Sequence, residues 1–284
     1  MAKLKRQESF VGGVRRIIVE AMDDMCRPPE GEDVVHDLRV ACKKIRAYLR
    51  LLRRAMGEDA FRRENVVFRD LARRLGGRRD AKVLTITFTG LEAAFPRAMS
   101  PADIAAVRSA LPPSSPAGDL GEIIADAHLT ALVARSRLSA LAVDDARGTG
   151  ALQHAFHRMC LRNRRALSLA ARAPSAGNLH EWRKQAKALW YQLRLARDFW
   201  PRKLKKLDTR FEALTTTLGD YHDLAMLERH LATTAALAQP IWSVHDLIQT
   251  RCRVLQAQAF HQAKFLFRLS APHFAKRLAA HRMR

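Results

Sequence analysis

The chain of 284 residues carries 50 Lys+Arg against 28 Asp+Glu, a formal net charge of +22 at pH 7, and its pI is about 11.0. At 48% hydrophobic and 27% charged it has the composition of a globular protein with a sizeable core, and no apolar run approaches the roughly 20 residues of a membrane span. Four scattered cysteines, Cys26, Cys42, Cys160 and Cys252, exclude a disulfide framework and a CxxC zinc site, while the charged start MAKLKRQESF lacks a signal-peptide core, so a cytoplasmic location is expected.

Apolar spacing and breakers predict a helix over roughly 8–26, a Pro-Pro-Glu-Gly turn at 28–31, and a long amphipathic helix over roughly 33–56. Helices at roughly 59–76 and 79–95 follow, then the loop LPPSSPAG at 111–118 and a helix of about twenty residues ending at Val143. Asp-Asp-Ala-Arg-Gly-Thr-Gly at 144–150 is read as the boundary between two halves. Beyond it come helices at roughly 151–172, 178–199, 202–218, 221–238 and 242–268, with a Pro-Ser-Ala-Gly turn at 174–177. With few Gly and Pro, the expected class is all-α.

The second half repeats the first. VHDLRVACKKIRAYLRLLR (35–53) aligns with LHEWRKQAKALWYQLRLAR (179–197), pairing His36 with His180, Arg39 with Arg183, Lys43 with Lys187, and Arg50 with Arg194. FRDLARRLGGRRDAKVL (68–84) aligns in the same order with FEALTTTLGDYHDLAML (211–227), pairing Gly76 with Gly219 and Asp80 with Asp223. A tandem duplication follows: a single domain over 1–284 built from antiparallel helical-bundle halves at 8–143 and 151–270, related by internal pseudo-symmetry.

On a helical wheel His36, Arg39, Lys43, Arg46, Arg50 and Arg53 share an arc of roughly 100°, apart from the apolar arc of Leu38, Ala41, Ile45, Leu49 and Leu52. Cations three and four residues apart repel one another, and a multivalent anion lying along them relieves that repulsion. Two such stripes facing one cleft would hold a linear polyanion. The paired histidines, set among cations, are expected to gain a proton on binding, so that affinity rises as pH falls toward about 6.5.

The second block reads first as architecture. Leu75-Gly76 and Leu218-Gly219 are expected to end helices in left-handed caps, with Asp80 and Asp223 in the first turn of the next helix. Arg79 and His222, just before those acids, remain within reach of a ligand, and Lys203, Lys205 and Lys206 form a further basic cluster.

HDLRVACKKIR (36–46), HEWRKQAKALWY (180–191), LGGRRDAKVL (75–84) and LGDYHDLAML (218–227) resemble the CHAD family, the conserved histidine alpha-helical domain. The resemblance implies an all-α fold of two pseudo-symmetric bundles, bacterial or archaeal, that binds inorganic polyphosphate and associates with polyphosphate granules. Carried over by position, His36, Arg39, Lys43, Lys44, Arg46, His180, Arg183 and Lys187 are implied ligand contacts, joined by Arg50 and Arg194 from the stripes. Ala188 and Trp190 stand where the first copy has Lys44 and Arg46, which leaves the second stripe's share of binding open. The ExExK signature of the CYTH triphosphatase domains often fused to this family is absent. Glu30-Gly31-Glu32 lacks the lysine.

No phosphate loop, HExxH, GxSxG or magnesium-type acidic cluster is present, so binding without catalysis, metal or cofactor is expected. Other phosphate or sulfate anions are expected to fit the same residues. Nonspecific RNA or DNA binding is the alternative, disfavoured because only Trp190 and Tyr191 lie near a stripe to stack on bases. A membrane-surface role is disfavoured by apolar faces that suit bundle packing.

Overall fold

In a computed structural model the described residues are 10–27, 33–113, 120–142, 148–196, 201–234 and 242–268. The predicted turn at 28–31 falls outside them. Among the described residues the fold is all-α, with ten helices and no strand: α1 (Phe10–Met25), α2 (Val34–Met56), α3 (Glu58–Arg74), α4 (Gly76–Ala94), α5 (Pro101–Ala110), α6 (Leu120–Ala140), α7 (Gly148–Arg172), α8 (Ala176–Ala196), α9 (Pro201–Thr233) and α10 (Trp242–Arg268). None is long and apolar enough to cross a membrane.

α2 is the helix around which the others assemble, packing against α1, α3, α4, α7 and α8. Its apolar arc supplies Leu38, Cys42, Ile45, Leu49 and Leu52 to the main core, and Ala47, Tyr48 and Leu51 widen the buried face. Each buried leucine is worth roughly 1.5–3 kcal/mol of transfer free energy. α8 packs against α2, α7 and α9; its Trp182 is fully buried, donates a 3.1 Å hydrogen bond to Asn163 Oδ1 and stacks on Phe260. Residues of both predicted halves share this core, and Gln192 Nε2 crosses between them to donate to the Ala47 carbonyl at 2.8 Å. A smaller core joins α4 and α5 to α9 and α10 through Phe88, Val107, Leu227 and Ile248.

Local chemistry explains the junctions. Gly57, at φ 83°, is the only left-handed glycine among the described residues, and it lets α3 start one residue after α2 ends. Across that turn Arg53 grips Glu58 with two 2.7 Å bonds, a cation at a helix C-terminus paired with an anion at the next N-terminus. Glu64, 1% exposed on α3, is held by Arg137 of α6 at 2.8 and 2.9 Å and by Arg63 at 2.9 Å. These bonds offset the cost of burying its charge.

Three expectations need correction. The stretch after 95 contains α5, whose Ser100 hydroxyl accepts from the Asp103 N–H with Pro101 in the first turn, a capping signal legible in the sequence. α7 begins at Gly148, inside the expected boundary segment. The expected break near Gly219 is absent, because α9 runs unbroken from Pro201 to Thr233 and Gly219 and Asp223 lie in its interior. At the equivalent point in the first half, Leu75 has right-handed helical angles (φ −68°, ψ −1°) and Gly76 opens α4 directly, so no left-handed cap forms there either.

Candidate anion-binding pocket

Asp33 caps α2, accepting the His36 N–H at 3.2 Å while its second oxygen meets Lys82 at 3.2 Å. That cap fixes the first turn of α2, from which His36, Arg39 and Lys43 project on one face. Ser175 caps α8 in the same manner, its hydroxyl accepting from the Asn178 N–H at 3.2 Å. His180, Arg183 and Lys187 then follow one another up the helix.

The two stripes meet at one pocket. Arg39 and Lys43 from α2 and Arg183 and Lys187 from α8 line it, with His36 at the α2 end. α4 and α9 close the remaining sides with Val83 and Leu84, and with His222, Asp223 and Met226. Its interior is about 90 Å³. Four cations and two imidazoles face a single carboxylate, Asp223, whose Oδ1 lies 3.0 Å from His222 Nδ1. The His222 ring stacks on His180 with centroids 4.4 Å apart, which brings His180 to the margin of the site.

Electrostatics mark Lys43 as the strained member. Burial first, and then repulsion from Arg39, Lys187 and Arg183, press its ammonium down to about 8, with Asp223 opposing the shift. Burial, the neighbouring His222, and the cations Lys184 and Arg183 push His180 down to about 4. His180 is therefore neutral near pH 6.5 in the protein alone, the starting state from which proton uptake on anion binding is expected. His36 Nδ1 and His180 Nδ1, equivalent atoms of the two copies, are both buried and have no hydrogen-bond partner among the described residues.

The two glycines serve the arginines. Arg39 Nη1 donates to the Ala72 carbonyl at 3.0 Å, placing a cation at the C-terminal end of α3, and a Cβ on Gly76 would stand 2.9 Å from that same nitrogen. A Cβ on Gly219 would lie 3.7 Å from the Arg183 guanidinium, ordinary contact. The repeated Leu-Gly thus lies beside a guanidinium in both copies, and the approach is close only at Gly76. We expect Gly219→Ala to be tolerated and to stabilise the helix by about 0.5–1 kcal/mol. Gly76→Ala is expected to displace Arg39 and weaken anion affinity several-fold. Thermal melts and pyrophosphate titrations of both variants check this, and equal behaviour of the two would remove the argument.

The remaining stripe residues point elsewhere. Arg46 Nε donates to Asn65 Oδ1 on α3 at 3.2 Å. Trp190 makes the equivalent bond from the second copy, Nε1 to Asp208 Oδ1 at 2.7 Å. The place held by Arg46 and Trp190 therefore faces the following helix in both copies, and Trp190 removes no pocket cation. Ala188 is buried in the core, while its counterpart Lys44 is lowered by burial and by Arg194. Arg50 is pushed down to about 10 by burial and by Arg46 and Arg162. Arg194 lies over the Trp190 ring at 5.1 Å, with Asp208 at 3.9 Å. None of Lys44, Arg46, Arg50 and Arg194 lines the pocket. The side chains of Arg79 and Lys203 lie outside the described residues. Lys206 is exposed on α9, sixteen residues before His222, roughly 24 Å along the helix. Lys205 is exposed beside it. Asp223, read from sequence as a helix-end residue, is the pocket member that sequence reasoning missed. Its only signal was its match with Asp80.

The sequence matches the family described as CHAD domain over residues 17–232, a span that contains every described residue lining the pocket. No curated protein matches it.

Proposed function

Because the chain belongs to the CHAD domain family, we propose that it binds inorganic polyphosphate in the pocket between α2 and α8, without cleaving it, and that the bound polymer carries it to polyphosphate granules. One observation carries the reading: Arg39 and Lys43 of one helix, and Arg183 and Lys187 placed 144 residues further on, converge on one narrow pocket. A protein gains nothing from such crowding by itself, since Lys43 is held well below its ordinary range by burial and by its cationic neighbours. A chain of closely spaced phosphates converts that repulsion into attraction at every site. Binding alone is supported by the pocket lining, whose one carboxylate, Asp223, is engaged with His222.

Nucleic acid carries phosphates at wider spacing and binds tightly when its bases stack on exposed rings. Here Trp182 and Tyr191 are buried and Trp190 is bonded to Asp208, so the pocket presents no aromatic platform. The test is competition between labelled long-chain polyphosphate and single-stranded DNA or RNA at matched phosphate concentration. At roughly 0.15 M salt, where nonspecific attraction is screened within about 8 Å, polyphosphate is expected to win by more than about tenfold. Equal competition by all three polymers would reduce the pocket to a generic basic surface.

A further inference from the structure

A second cavity adjoins the basic pocket. It is a cleft of about 300 Å³ between α4, α9 and α10, and Asp223 lines both. The two follow one another along the α4–α9 seam, since Val83 and Leu84 belong to the pocket while Ile86, Gly90 and Leu91, the next turns of α4, belong to the cleft. Their chemistry differs. The cleft is walled mainly by Ile86, Leu91, Leu224 and Leu255, and its charged groups are Asp220, Asp223 and Arg251.

Asp220 decides what the cleft accepts. Its side chain is exposed at the cleft and makes no hydrogen bond or ion pair with a described residue. Partial desolvation and the Asp223 carboxylate one turn away hold its pKa above the ordinary value, while Arg251 and Arg183 oppose that shift. With two acids at the cleft, further phosphate groups are repelled from it. Arg251 in the same lining disfavours a simple cation. What fits is an uncharged, largely flat body with N–H or O–H donors for Asp220, continuous with phosphates in the next-door pocket. A nucleoside has this chemistry: an apolar-faced ring, ring and exocyclic N–H groups, and ribose hydroxyls. A volume of about 300 Å³ lies at the small end of the range for ligand sites.

We infer that the protein also takes nucleoside polyphosphates, with the phosphate chain among Arg39, Lys43, Arg183 and Lys187 and the nucleoside in the neighbouring cleft against Ile86, Leu91, Leu224 and Asp220. This rests on the proposed phosphate-binding role of the pocket. Guanine suits the carboxylate best among the bases, since its N1–H and N2–H groups are parallel donors. Adenine offers one such amino group, and both nucleosides share the ribose diol.

Calorimetric titration with inorganic tripolyphosphate, ATP and GTP separates the two ideas, because tripolyphosphate has the phosphates without the nucleoside. A nucleoside seated in the cleft is expected to tighten binding about tenfold over tripolyphosphate, about 1.4 kcal/mol. Gly90→Leu is the second arm. Gly90 lines the cleft and a Cβ there meets nothing within 4 Å, so a leucine starts from open space at the cleft and replaces a glycine inside a helix. It is expected to bring GTP and ATP down to the affinity of tripolyphosphate and to leave tripolyphosphate itself unchanged. Equal binding of all three ligands to the unaltered protein would overturn the nucleoside inference and leave phosphate binding standing. A nucleotide advantage that survives Gly90→Leu would overturn the assignment to this cleft. Failure of tripolyphosphate to bind at all would remove the pocket's proposed function, and this inference with it.

Discussion

Replacing Arg39 and Arg183 together by alanine is expected to lower the affinity for long-chain polyphosphate by about three orders of magnitude. Each guanidinium is positioned to make charge-assisted hydrogen bonds, worth roughly 1.5–3 kcal/mol apiece, so the pair accounts for about 3–6 kcal/mol. The two face the same pocket from opposite helices, and their losses are expected to couple through the shared ligand. The slope of log affinity against log salt should fall in the same variant, because fewer phosphates are neutralised. Arg39 also holds the Ala72 carbonyl, so a melting curve must accompany the titration. A folded double variant that keeps affinity within tenfold of the original would sink the assignment of the pocket.

Lys43→Met is expected to do two things at once: stabilise the protein alone and weaken it as a binder. The folded pKa of Lys43, about 8, lies below the ordinary lysine value of about 10.4. Below pH 8 the side chain is charged in both folded and unfolded chains, and the full cost of confining that charge falls on the folded state. As pH rises from 8 toward 10 the folded chain sheds its proton first, and stability recovers. Methionine keeps most of the volume and removes the charge, so a gain of about 2 kcal/mol is expected at pH 7 in an anion-free buffer. A bound polyanion reverses the sign by raising this pKa. Through Lys43, the affinity of the original protein should therefore fall about tenfold between pH 7 and pH 9. The groups that face Lys43 and enter this balance are Arg39, Arg183, Lys187 and Asp223. The methionine variant is expected to lose the pH dependence. A variant that melts lower than the original, or one that keeps the slope above pH 8, would contradict this account.

The helix period alone exposed the basic stripes, because cations at 36, 39 and 43, and their partners at 180, 183 and 187, recur at three- and four-residue intervals. Trp182 falls on the apolar arc of the second stripe's helix, and the structure buries it. What a wheel cannot give is how deep along the helix the neighbours reach. Arg46 and Arg50 share the angular sector of Lys43, yet α3 takes up Arg46 and neighbouring side chains bury Arg50, so only the first two turns of each stripe reach the pocket. Gly76 and Gly219 looked like caps because glycine is most often read through backbone freedom. Gly76 instead leaves room for the Arg39 guanidinium from another helix, a contact between residues 37 apart in sequence, while Gly219 lies beside Arg183 with space for a Cβ. Asp223 escaped for a related reason. Its place opposite Lys43 arises only when α9 runs straight past Gly219.

The hydrogen bond from Gln192 to the Ala47 carbonyl sets a timetable for the chain on the ribosome. α2 leaves the exit tunnel with one side committed to α8, which has yet to be made. At typical synthesis rates of 5–20 residues per second, the 145 residues between those partners take on the order of ten seconds. Throughout that interval Ala47 and Leu51 have no second-half surface to pack against, and the nascent first half is the species most open to aggregation or chaperone capture. The binding pocket, built from both ends of that wait, is among the last features to exist.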